Sequence, residues 1–234
     1  MKHLSLLSLA TIVLIAVPAT VLAQPWSDNF DSYAAGSAIA GQGGWENWTL
    51  GTADAFVSNQ LSNSAPNSLE INPTSDVVRE FSGATSGLWI ARGMCYIPGG
   101  STGEQYWIML NTYNGAGTGL NWSTQMLLNS DTGLVTDADT PGPTLPIVND
   151  QWVEVRVEIN LDTNSQTMLY NGAALSTKSW TEGSSGGGAM DIAVVDLFSN
   201  GGSSIFWDDV SLMLETATPV EPTTWGKIKS QYER

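Results

Sequence analysis

The stretch WVEVRVEINL, Trp152 to Leu161, alternates without a break. Val153, Val155, Val157, Ile159 and Leu161 fall on one side of an extended chain, and Trp152, Glu154, Arg156, Glu158 and Asn160 on the other. Successive side chains of a strand point to opposite faces, so a two-residue period means that one face packs on a core while the other meets water.

The same reading extends outward. Gln105 to Tyr113 divides into Tyr106, Ile108 and Leu110 on one side and Trp107, Met109, Asn111 and Tyr113 on the other. Asn121 to Leu128, Met168 to Tyr170, Asp191 to Phe198 and Ser204 to Leu214 are further strand candidates, separated by runs of Gly, Asn, Asp and Pro. Asn171-Gly172 predicts a two-residue hairpin turn, because both positions accept positive φ. No amphipathic helix is legible. About a dozen strands suit two packed sheets better than a small barrel, so the predicted fold is all-β: a two-sheet antiparallel jelly-roll sandwich over residues 24–214.

The ends have a different texture. Lys2 and His3 precede a mainly apolar run, Leu4 to Val17, and Val21-Leu22-Ala23 offers a small residue for cleavage. That is the layout of a secretory signal over residues 1–23, although an uncleaved N-terminal anchor is the alternative; a spanning helix needs about 20 apolar residues. Residues 215–224 (ETATPVEPTT) form a Pro/Thr linker, and residues 225–234 a basic aromatic tail. The tail is read either as a frayed terminus or as a sorting and docking tag at the cell surface.

Composition narrows the function classes. Eight Lys and Arg face 23 Asp and Glu, giving a net charge of −15, and removing the leader takes one Lys and no acid. Such a surface repels nucleic acid and anionic membrane, and suits neutral ligands or cations. The one His is His3, so the exported chain has no imidazole for a Ser-His-Asp triad or a His-ligated zinc. Cys95 is the one cysteine, which rules out an internal disulfide and reads as a small buried hydrophobe.

Three kinds of chemistry are open. A glycosidase needs two carboxyls at a defined separation, about 5–5.5 Å or 6.5–9.5 Å. Glu154 and Glu158 are four residues apart along a strand, too far, with Arg156 between them, so no catalytic residue is assigned. A structural calcium ion is the second. Asp28 and Asp31 lie near the start of the exported chain, and Asp208 and Asp209 lie in the last strand. Simple alternation puts Asp208 on the apolar face with Phe206, Val210 and Leu212, where a carboxylate needs a cation or a set of backbone N–H donors. The third is sugar stacking. Trp107, Asn111 and Tyr113 are expected on the outer face of one strand, and Trp152 and Arg156 on that of another. If the two strands are neighbours, aromatic platforms sit beside hydrogen-bonding groups; otherwise these rings are ordinary core and edge filler.

DNFDSY (Asp28 to Tyr33), GQGGW (Gly41 to Trp45), WVEVRVEI (Trp152 to Ile159) and FWDDVSL (Phe206 to Leu212) together resemble secreted bacterial domains of the concanavalin A-like lectin/glucanase, or laminin G-like, superfamily. The resemblance spans residues 24–214 and implies the jelly roll. It also implies a calcium held by Asp31 with Asp208 or Asp209. The Glu-x-Asp-x-x-Glu cluster of the hydrolase branch is missing. The expectation is therefore a non-catalytic, secreted module that binds a glycan or cell-surface polysaccharide. A glycan hydrolase or lyase, and a structural envelope or matrix protein, are the alternatives. Oligomeric state is not legible.

Overall fold

The computed structural model describes residues 24–115 and 117–215. The expected signal segment and tail, and all of the expected linker after Glu215, lie outside the described residues. What is described is two antiparallel sheets, fifteen strands in all, with a single 3-10 turn at Trp48–Leu50. No helix among the described residues is long and apolar enough to cross a membrane.

The eight-stranded sheet runs Ala173–Ser179, Ser165–Tyr170, Trp152–Asn160, Leu88–Tyr96, Ile205–Leu214, Ser68–Ile71, Phe56–Ser58, with Trp26–Asp28 also paired to Ile205–Leu214. The seven-stranded sheet runs Leu145–Pro146, Leu134–Asp137, Asn121–Asn129, Gly103–Thr112, Val194–Gly202, Asp76–Glu80, Trp45–Asn47. Neighbours far apart in sequence, such as the first and last strands, give the jelly-roll connectivity. The Asn171-Gly172 turn forms as predicted, with φ of 48° and 76°.

Between the sheets lies the main core. Val153, Val155, Val157 and Ile159 enter it from one side, and Trp107, Met109, Met126 and Leu197 from the other. Trp107 and Trp207 meet across the gap with ring centroids 5.1 Å apart. Cys95 is fully buried there, and burial pushes its thiol pKa well up.

A second, smaller cluster of Val78, Ile108, Leu110 and Val194 sits on the outer face of the seven-stranded sheet, with Trp48, Tyr106, Tyr113, Leu120, Trp122 and Phe198 packed against it. This corrects the expected facing of the Gly103–Thr112 strand. Both of its faces are apolar, so alternation separates them without saying which is inside. Trp107 is fully buried in the main core, and Tyr106, Ile108 and Leu110 face outward.

Candidate functional site

The five residues expected to bind a ligand are divided between the two sheets. Trp152 and Arg156 are on the outer face of the eight-stranded sheet, whereas Trp107, Asn111 and Tyr113 belong to the seven-stranded side. The two strands are therefore not neighbours. Trp152 leans on Tyr96, ring centroids 5.5 Å apart, and Arg156 lies between Glu154 and Glu158 at 3.6 and 3.2 Å.

Trp107, Asn111 and Tyr113 do not share a face either. Register shifts on both sides of Leu110 mark bulges that break the alternation. Asn111 is buried and holds a loop: its amide donates to Asn121 Oδ1, the Ser123 hydroxyl and the Gly187 carbonyl, and its oxygen accepts from the Ala189 N–H. Tyr113 emerges on the outer face, against Trp48 at 5.2 Å.

The acidic residues expected to hold calcium surround one loop. Asp208 is fully buried, but not on the core side. A bulge at Asp209, φ 48°, shifts the phase of the last strand, so that Val210 and Leu212 join Trp207 in the core while Asp208 faces out beneath residues 61–67. Its Oδ2 accepts the N–H groups of Asn63 and Ser64 at 2.7 and 2.9 Å, and its Oδ1 the N–H of Asp209 at 2.8 Å. Asp209 accepts from the Asn63 amide and the Ser64 hydroxyl, and Asp31 from the Asn67 N–H and the Asn29 amide. Calcium takes six to eight oxygens. Among the described residues no group of three or more His, Cys, Asp or Glu is placed to hold a metal. The donor set suits a loop clamp and does not fit a calcium cradle.

Two clefts open on the outer faces. The larger, about 840 Å³, lies on the eight-stranded sheet among Trp26, Asp28, Tyr33, Arg92, Glu154 and Asp209. Its Asp28 and Glu154 carboxylates are already engaged, while among the described residues the Ser211 hydroxyl has no partner. Asp28 accepts from the Phe30 N–H, the Tyr33 hydroxyl and the Trp45 indole, and Arg92 pairs with Glu154 at 3.5 Å.

The smaller cleft, about 460 Å³, lies on the seven-stranded sheet among Trp48, Asp76, Tyr106, Ile108, Trp122, Gln125, Ala138, Asp139, Asp196 and Phe198. One wall is aromatic: Trp48 packs against both Trp122, at 6.0 Å, and Tyr113. Tyr106 and Phe198 form a second ring pair at 5.6 Å. The turn carrying Trp48 is tied down by a hydrogen bond from the Thr49 N–H to the Tyr113 hydroxyl, 3.0 Å. Thr49 has φ 45°, unusual for a β-branched residue and a form of backbone strain that gathers at functional sites.

Asp76 and Asp196 also line this cleft. They come from adjacent strands, Phe198 pairing with Asp76 and Asp196 with Val78, which makes them diagonal neighbours on one face. The carboxyls lie close enough to interact, and among the described residues no backbone or side-chain N–H or hydroxyl donor reaches either. Two carboxyls in such contact must share a proton. Burial raises the Asp76 pKa to about 6, while burial and the Asp76 charge raise that of Asp196 well above the carboxylate range. This pair was not singled out from sequence. The available signal was an Asp inside the apolar run Ile192 to Phe198.

No family model matches the sequence, and no curated protein matches it. Solved structures do match by shape. A sialidase shares 9% identity at a TM-score of 0.54, covering 85% of this chain and 19% of its own. The alginate lyase Aly36B, in complex with an alginate tetrasaccharide, shares 12% identity at 0.54 over 85% of this chain and 100% of its own. The carbohydrate esterase vb_24B_21 of the Shiga toxin-encoding bacteriophage phi24B shares 12% at 0.53, over 82% and 100%. At these identities the likeness is one of fold alone: a two-sheet antiparallel sandwich consistent with a jelly roll.

Proposed function

We propose that the protein is a secreted, non-catalytic carbohydrate-binding or surface-adhesion module whose glycan lies in the cleft on the outer face of the seven-stranded sheet. One observation carries this reading: Trp48, braced by Tyr113, and Trp122 stand in the cleft beside Asp76 and Asp196, whose Oδ1 atoms no protein donor among the described residues reaches. Sugar rings present apolar C–H faces that indole and phenol rings cover, while polar side chains take the hydroxyls. The larger cleft lacks this pairing, because its carboxylates already have partners. Solved structures of the same fold include glycan-active proteins, which supports a carbohydrate ligand.

A glycan hydrolase is the competing reading, and the carboxyl pair is what favours it. A glycosidase sets its two carboxyls about 5–5.5 Å or more apart, on either side of the scissile bond. Asp76 and Asp196 come from neighbouring strands of one sheet face, so both approach the cleft from the same side instead of flanking a glycosidic bond. A glycan array probed with the purified protein tests the proposal. Binding to at least one glycan, weakened in Trp48→Ala and Trp122→Ala proteins of unchanged melting temperature, is the expected result. A blank array, or binding indifferent to both substitutions, overturns it.

A further inference from the structure

The glycan-binding reading leaves the kind of sugar open, and the polar side of the cleft narrows it. Its lining contains Asp76, Asp139, Asp196 and Gln125, and neither Lys nor Arg. Asp139 is spoken for: it accepts from Gln125 and the Ser184 hydroxyl and pairs with Lys178 at 3.4 Å. Lys178 is in turn held by Asp137 at 2.9 Å, so no free cation is turned toward the cleft among the described residues. Asp76 and Asp196 have only each other, and Asp196 is 3% exposed.

Resting on the glycan-binding reading, we infer that Asp76 and Asp196 are the hydroxyl-accepting groups of the site, and that its ligand class is an uncharged sugar, with uronates and sialic acids excluded. One shared proton leaves the pair with more acceptor lone pairs than donors, and a sugar hydroxyl supplies the donor they lack. Two carboxyls on neighbouring strands offer adjacent acceptors, the arrangement that a pair of ring hydroxyls fills. A carboxylated sugar would bring a second negative charge beside the one this proton-sharing pair carries, with no guanidinium or ammonium in the lining to meet it, which is the arrangement that rejects a ligand. A divalent cation bridging the carboxyls is the rival account. Of the rest of the lining, Asp139 is engaged by Gln125, Ser184 and Lys178, and Ile108, Ala138, Phe198 and the aromatic rings offer too few oxygens for the six to eight that calcium wants.

The test is calorimetric titration of the full protein at neutral pH, without and with EDTA. The uncharged probes are hexasaccharides of β-1,4-linked glucose, xylose and mannose and of β-1,3-linked glucose; the acidic probes are hexamannuronate and hexagalacturonate. At least one uncharged probe is expected to bind and neither uronate. Asp76→Ala and Asp196→Ala should weaken binding about tenfold or more, the size of one lost charge-assisted contact. Asp196→Asn, which keeps a carbonyl acceptor and a donor toward Asp76, should stay within about threefold of wild type. Circular dichroism and melting of the Asn variant guard against misfolding. Stronger uronate binding, unchanged affinity in the Asp76→Ala protein, or binding lost on adding EDTA overturns the inference and leaves glycan binding intact. Binding lost in the Asp variants but not in Trp48→Ala or Trp122→Ala overturns the aromatic reading instead. No binding by any probe overturns both.

Discussion

The backbone N–H of Thr49 donates to the hydroxyl of Tyr113 across 64 positions of sequence, at 3.0 Å. This one bond fastens a strained turn to the sheet and fixes where Trp48 stands over the cleft. Tyr113→Phe keeps the ring contact with Trp48 and removes the acceptor. It should cost about 1 kcal/mol of stability or less, because the N–H can turn to water, yet weaken glycan binding several-fold by freeing Trp48. Parallel melting and titration of the variant check this; a large melting drop with unchanged affinity would make the bond structural only.

Gly93 marks a tight point of the core between the two indoles. A Cβ there would lie 2.9 Å from Trp107 Cζ3, 3.2 Å from Trp207 Cε3 and 3.3 Å from Val210 Cγ2. The need is for space, since all three neighbours are packed. Gly93→Ala should destabilise by about 1–3 kcal/mol, the usual cost of overpacking, or roughly 2–4 °C of melting temperature per kcal/mol in a domain of this size. Chemical denaturation measures it, and unchanged stability would show that the two indoles can part.

Stability should fall as pH rises through the weakly acidic range. Burial lifts Asp76 and Asp208 to about 6 and Asp196 higher, whereas the unfolded chain releases the same protons near the ordinary aspartate value of about 3.9. Between those limits the folded state holds more protons, so deprotonation favours unfolding, and Asp196 extends the decline upward. Asp76→Asn/Asp196→Asn should melt no lower than wild type at neutral pH and show a flatter profile from pH 4 to 7. A wild-type optimum above pH 7, or an unchanged slope in the double variant, would contradict the shared proton.

Asp31, Asp208 and Asp209 are engaged by donors from residues 63–67 and 29, so the loop itself joins the two ends of the domain. Excess EDTA should leave the melting temperature unchanged. A drop restored by added calcium would put an ion among these carboxylates. Asp208→Ala, which strips the Asn63 and Ser64 N–H groups of their acceptor, should cost about 1–3 kcal/mol with or without EDTA.

Much of the fold was legible because one strand buries a single face. In Trp152–Asn160 the alternation reports burial directly, and Trp152 and Arg156 lie outward as the pattern requires. Gly103–Thr112 defeats the same logic, because Ile108 and Leu110 are buried on one face and Trp107 and Met109 on the other. Bulges defeat it at Asn111 and Asp209, where one extra residue reverses the phase of all that follows. The site was legible only in part. Tyr113 was placed in the ligand set, but its partners Trp48 and Trp122 come from a turn and another strand, and Asp76 and Asp196 meet only once two distant segments pair. Nothing local in the sequence announces that meeting.

The two outer faces offer the most direct comparison, because each carries an accessible indole: Trp122 in the seven-stranded sheet's cleft and Trp152 on the opposite sheet. Titrating one bound oligosaccharide into Trp122→Ala and Trp152→Ala proteins decides which face receives it. A loss of about tenfold or more in Trp122→Ala, with Trp152→Ala within about twofold of wild type, is the predicted result. The reverse pattern would move the ligand to the eight-stranded sheet and contradict the account.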